Sequence, residues 1–176
     1  RHSVAGAATV RHLDGELASR LRAVAHRSGA TLFMVLAAGF DVVAARHAGE
    51  DDVVIGIPVA GRVRPELEPL IGAFLNNLVL RTDLSGDPTF TEVVDRVRAA
   101  SLAAFDHQDV PFERLLAELQ PQRDLARTPL FQVFFNMLEV ASMAAPVTSL
   151  GGLEHELLAE PEPDAKFDLT MYVDAD

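Results

Sequence analysis

The order of apolar and polar residues divides the chain into helical and extended stretches. Leu17, Leu21 and Val24 recur at helical spacing behind Asp14, a good capping residue, and Gly29 ends the run; a first helix is predicted there. Residues 31–47 are apolar almost all round, so a second helix should be deeply buried, closed by Gly49. Residues 53–59 are a continuous apolar run rich in β-branched side chains, which predicts a strand covered on both faces. A short helical turn starting at Pro65 is expected over 65–70, and a second strand over 74–84. After the turn at 85–88, Thr89 and Glu92 have capping-box spacing. The helix they open carries Phe90, Val93, Val94, Val97, Ser101, Ala104 and Phe105 on one stripe. A further helix is expected over 111–119, a strand over 131–138, a loop over 141–152, and strands over 153–158 and 167–173. Helices first, then mixed strands and helices, mean an α/β (α+β) fold with a mixed sheet flanked by helices.

Composition narrows this to one domain. The 176 residues can bury one substantial core, and 49% of them are apolar. With no cysteine, disulfides, thiolate metal sites and cysteine nucleophiles are excluded, which fits a reducing, cytoplasmic setting. The net charge is −11, with eight acids against Lys166 alone over 154–176, and such a surface repels nucleic acid and anionic membranes. The longest apolar run, 32–45, contains Asp41 and is too short to span a bilayer. No apolar leader follows Arg1, and the chain reads as cut from something longer.

The candidate chemistry is sparse. His107 lies between Asp106 and Asp109, but neighbours at a helix end point in different directions. Pro111 suits the first position of the next helix and Asp109 suits its cap, so 106–111 reads as a corner rather than a base. His47 and Asp51 have H-x-x-x-D spacing, but Asp52 follows where an acyltransferase signature needs glycine; at His12 an Asp14-Gly15 pair comes too close. Both read as local structure. No H-x-x-x-H or H-E-x-x-H pair suggests a metal, no glycine-rich motif suggests a nucleotide, and neither Ser85 nor Ser101 sits in a nucleophile elbow. Asn76 and Asn77 interrupt an apolar strand and must point to opposite faces, so at least one amide needs a partner in the core or lines a cavity. Arg81 suits a surface ion pair, and Ala60-Gly61-Arg62 a tight loop able to approach a ligand.

Five segments together resemble the condensation domains of nonribosomal peptide synthetases. They are Val53-Val54-Ile55-Gly56-Ile57-Pro58-Val59-Ala60-Gly61-Arg62 with Pro65-Glu66-Leu67-Glu68; Ile71-Gly72-Ala73-Phe74-Leu75-Asn76-Asn77; His107-Gln108-Asp109-Val110-Pro111-Phe112-Glu113; Arg123 through Val133; and Lys166-Phe167-Asp168-Leu169-Thr170. They stand in the family's order, and the resemblance covers about Leu13 to the end.

The resemblance implies two lobes, each similar to chloramphenicol acetyltransferase, with a tunnel between them. Donor and acceptor peptidyl carrier proteins would bring thioesters on phosphopantetheine arms, and the acceptor amine would attack the donor thioester. The catalytic histidine belongs to an HHxxxDG motif of the N-terminal lobe. That motif is absent here, so residues 1–176 look like the C-terminal lobe alone, expected to be inactive by itself, with no catalytic residue and no directly bound cofactor. Ala60, Gly61, Arg62, Asn76 and Asn77 are expected to face the tunnel, with Asn77 standing where threonine is usual. The expected partners are the N-terminal lobe, the carrier proteins and adjacent synthetase domains, and the bare lobe should self-associate. The alternative is a lobe of a non-catalytic relative that recruits a tailoring enzyme, or of an epimerization or cyclization relative.

Overall fold

The computed structural model of the chain describes residues 5–121, 127–138 and 165–174. Helix α1 (Gly15–Arg27) is capped by the Asp14 carboxylate, which accepts from the Leu17 amide at 2.7 Å. Helix α2 (Leu32–Ala48) is capped by Thr31 and ends at Gly49, at φ +71°. Strand β1 (Asp52–Val59) pairs antiparallel with β2 (Asn76–Asp83) along its whole length, from Asp52↔Asp83 to Val59↔Asn76. Helix α3 (Phe90–Asp106) opens on the anticipated box, in which Glu92 Oε2 accepts from the Thr89 amide at 2.7 Å. Helix α4 (Phe112–Leu119) follows, then β3 (Val133–Leu138) and β4 (Leu169–Asp174). The sheet order is β2-β1-β3-β4; β1, β3 and β4 run parallel and β2 antiparallel. This is the mixed sheet the pattern predicts.

Strand alternation builds two cores. Val53, Ile55 and Ile57 of β1, Leu78 and Leu80 of β2, and Phe135 of β3 meet Met34, Val35, Ala37 and Ala38 of α2 and Val93, Val94 and Val97 of α3. The Phe135 ring is fully buried, with Phe33 and Phe40 at 5.6 and 5.8 Å between centroids. Burial of one such side chain contributes about 2–3 kcal/mol.

The opposite face of the sheet carries a smaller, aromatic layer. Phe131 lies over Gly56, where a Cβ would stand 2.3 Å from its Cε2 atom. Its ring neighbours are Phe112, Phe134 and Phe167, and Phe134 and Phe167 stack in parallel at 4.8 Å. Phe131 is brought there by a tight turn, with its amide donating to Pro129 O at 3.0 Å across Leu130 at φ +70°. A bulky residue in that region is strained, and the buried ring offsets the cost.

Several expectations need adjusting. Strand β2 begins two residues later than predicted, at Asn76, which pairs with Val59, the last residue of β1. Phe90 is 42% exposed and Val43 of α2 is 55% exposed, so neither belongs to the buried faces assigned to them. The turn at 65–70 is a 3-10 helix over Pro65–Leu67 only. The loop at 141–152, the strand at 153–158 and the motif positions 123–126 lie outside the described residues.

Candidate functional site

Three parallel strands, β1, β3 and β4, end on one side of the sheet, and β2 starts there. In open α/β sheets the carboxyl ends of parallel strands are where ligands bind. All five expected tunnel residues lie at this end: Ala60–Arg62 leave β1, and Asn76 and Asn77 begin β2.

Residues 60–75 connect the two strands and are folded by their own side chains. Gly61 sits at φ +65°, and a Cβ there would lie 1.9 Å from the Phe74 carbonyl oxygen, so the connection closes on itself at a position only glycine can fill. The Arg62 guanidinium donates to the carbonyls of Leu67 and Gly72 and lies 4.2 Å from the centroid of the Phe74 ring. Ala60 is exposed.

Asn76 is equally committed. Its Nδ2 donates to Gln108 O at 2.9 Å and Val110 O at 2.8 Å, and its Oδ1 accepts from the Phe112 amide at 3.0 Å. Two donor hydrogens and a carbonyl are all that an asparagine side chain offers. This corrects the corner predicted at 106–111. Pro111 occupies the cap position rather than the first helical one, and α4 has no cap from its own segment; exposed Asp109 does not serve. The first helical amide is instead met from β2. Sequence spacing finds local caps and has no access to one supplied from 36 residues away.

Asn77 lies opposite Pro58, on the face away from α2 and α3, is half-buried, and makes no side-chain hydrogen bond among the described residues. His107 ends α3 as its cap residue, exposed, with Nδ1 2.9 Å from Ala103 O. The corner reading of the histidine holds, since its proximal ring nitrogen faces its own helix. His12 and His47 are exposed and distant in sequence from this end. Among the described residues no three His, Asp or Glu side chains gather as metal ligands, and no single helix is long and apolar enough to cross a membrane.

Away from this end, Arg81 forms the anticipated surface pair, 2.7 Å from Asp52, and holds that carboxyl below its usual range. Asp41, on the buried face of α2, stands out in the sequence only as a charge within an apolar run. It is 1% exposed; burial pushes its pKa up to about 7, and a hydrogen bond to Thr82 opposes part of that rise. Its Oδ1 has no partner among the described residues.

Residues 1–175 match the condensation-domain family. The chain belongs to that family. As a condensation domain sequence it is similar to the dimodular nonribosomal peptide synthase of Bacillus subtilis (strain 168), at 43% identity over 93% of this chain and 7% of that protein. Among solved structures it resembles the X-domain in a complex with OxyB from teicoplanin biosynthesis, at 36% identity and TM-score 0.68, over 71% of this chain and 28% of that one. A four-domain nonribosomal peptide synthetase, holo-AB3403, shares the fold over 97% of this chain and 14% of its own, at TM-score 0.81 and 22% identity. The chain thus spans a small part of each relative.

The condensation motifs converge in space. Asn76 belongs to one, Gln108, Val110 and Phe112 to a second, Phe131 to a third, Phe167 to a fourth, and Gly56 to the first strand. They meet as the aromatic layer and the bracket at its rim.

Proposed function

We propose that this chain is the C-terminal lobe of a nonribosomal peptide synthetase condensation domain and supplies one wall of its tunnel. In the whole domain the acceptor amine attacks the donor thioester carbonyl, the C–S bond breaks, and the pantetheine thiol leaves. One observation carries the division of labour: at the carboxyl end of the parallel strands, Arg62 and Asn76 are bound to backbone carbonyls and amides. Such a wall shapes and orients; holding an amine against a thioester is itself a large part of the rate. Asn77 and Ala60 are the tunnel-facing groups left to meet a substrate, with Gly61, Arg62 and Asn76 shaping the wall behind them. The partners are the N-terminal lobe, donor and acceptor carrier proteins with their phosphopantetheine arms, and adjacent synthetase domains, in the cytoplasm.

The test loads both carrier proteins with aminoacyl thioesters and follows the dipeptidyl thioester by mass spectrometry. Product is expected from this lobe joined to its N-terminal partner and none from the lobe alone. Asn77→Ala should slow product formation about tenfold, the loss of roughly one positioned hydrogen bond to substrate, at unchanged melting temperature. Wild-type rates in that variant would remove Asn77 from the wall. A second reading rests on the 36% identity to an X-domain solved with OxyB: the parent recruits a partner enzyme and condenses nothing. Absence of product from the joined lobes, with cognate substrates loaded, selects it.

A further inference from the structure

We propose that Asn76 is a positioning residue that makes the β1–β2 connection and the α3–α4 corner a single rigid rim of the condensation site; the link to catalysis rests on the function proposed above. Four observations carry it. The amide uses both donor hydrogens and its acceptor on three different residues of the corner, within 2.8–3.0 Å. Those residues span the last turn of the connector and the first helical amide of α4, which no local side chain caps. The Phe112 ring, at the first position of α4, packs on Phe131 at 5.6 Å, so the bracket also sets where the aromatic layer meets the sheet end. And Asn76 is the first residue of β2, directly after the connection that Arg62 folds.

The chemistry is specific to asparagine. An ionised aspartate keeps the acceptor for Phe112 but turns a charge toward the Gln108 and Val110 carbonyls, whereas protonation restores one donor. Glutamine carries the same groups one methylene further out. The corner is thus held by a side chain that does no chemistry and has both donor hydrogens committed to backbone carbonyls.

The experiment uses the complete polypeptide that carries this chain. Amide exchange over 107–113 is measured by mass spectrometry in wild type, Asn76→Ala and Asn76→Asp, alongside condensation kinetics with loaded carrier proteins. In Asn76→Ala the corner should exchange about tenfold faster or more, with the α3 core around Val93–Val97 unchanged. Turnover should fall with KM for the carrier-bound acceptor preserved. Asn76→Asp should recover corner protection as pH is lowered through the aspartate range, and alanine should not.

Unchanged exchange at the corner in Asn76→Ala overturns the bracket. Faster exchange with wild-type turnover leaves a bracket irrelevant to the reaction and overturns the positioning role. Slower turnover with a fully protected corner means that the amide touches substrate, which also overturns it. If the wild-type polypeptide condenses nothing, the functional reading fails and the positioning role falls with it, while the exchange data still judge the bracket.

Discussion

Asp41 shows how one residue can set a pH response without taking part in a site. Its carboxyl is buried and its pKa stands near 7 against an ordinary 3.8. The folded state therefore holds the proton more tightly than the unfolded chain does. The contribution to stability is complete below about 4 and is lost progressively as pH rises to about 7, by a few kcal/mol at most. Asp52, Asp83 and Glu92 are exposed and shifted down, so they act in the opposite sense, contributing above the carboxylate range and losing that contribution as pH falls through it. Asp41→Asn should flatten the fall in melting temperature between about pH 4 and pH 7, where wild type loses several degrees. Equal slopes in both proteins, measured by thermal melts across that range, would show that Asp41 does not titrate there. The sequence displays this aspartate as an interruption in an apolar run. Its depth depends on α3 and β2 closing over α2, which helical periodicity does not report.

At the scale of elements, the chain advertises what is local. The Asp14 and Thr89 caps are set within one helical turn, and the β1 run and the α3 stripe within one element each, and these elements formed where the pattern placed them. The apolar run of β1 announces that its second face is covered but not by what; the ring that covers it and the cap of α4 depend on contacts across 36 residues or more, which local spacing does not report. Gly56 is the clearest case. Its neighbours in β1 are β-branched, yet at this position a side chain would occupy the space of the Phe131 ring. Gly56→Ala should therefore displace Phe131 and cost about 1–3 kcal/mol, more than its gain in strand propensity returns. Chemical denaturation measures this. A double variant, Gly56→Ala with Phe131→Leu, should recover part of the loss, because the smaller side chain vacates the clash.

Across the whole molecule, the helix-side core is closed and the carboxyl end of the sheet is not. Ile71 is 104% exposed and Leu75 76%, beside half-exposed Val63 and Leu70, all on the connection that Arg62 and Asn76 hold in place. Apolar side chains gathered on a fixed loop favour association. In sedimentation experiments on this chain, weak self-association is expected in the tens-of-micromolar range or above, and Ile71→Ser with Leu75→Ser should lower it. A monomer at every concentration would mean that these side chains cover one another in solution.

The convergence of the motifs on the aromatic layer has a consequence for genome reading. Gly56, Asn76, Phe112, Phe131 and Phe167 are joined by ring contacts and by one amide, so replacing any of them disturbs the local packing whether or not the parent performs a reaction. A descendant that abandoned peptide-bond formation would still be selected to keep all five. Searches built on these strings collect descendants of a scaffold and do not by themselves sort synthetases from recruiters.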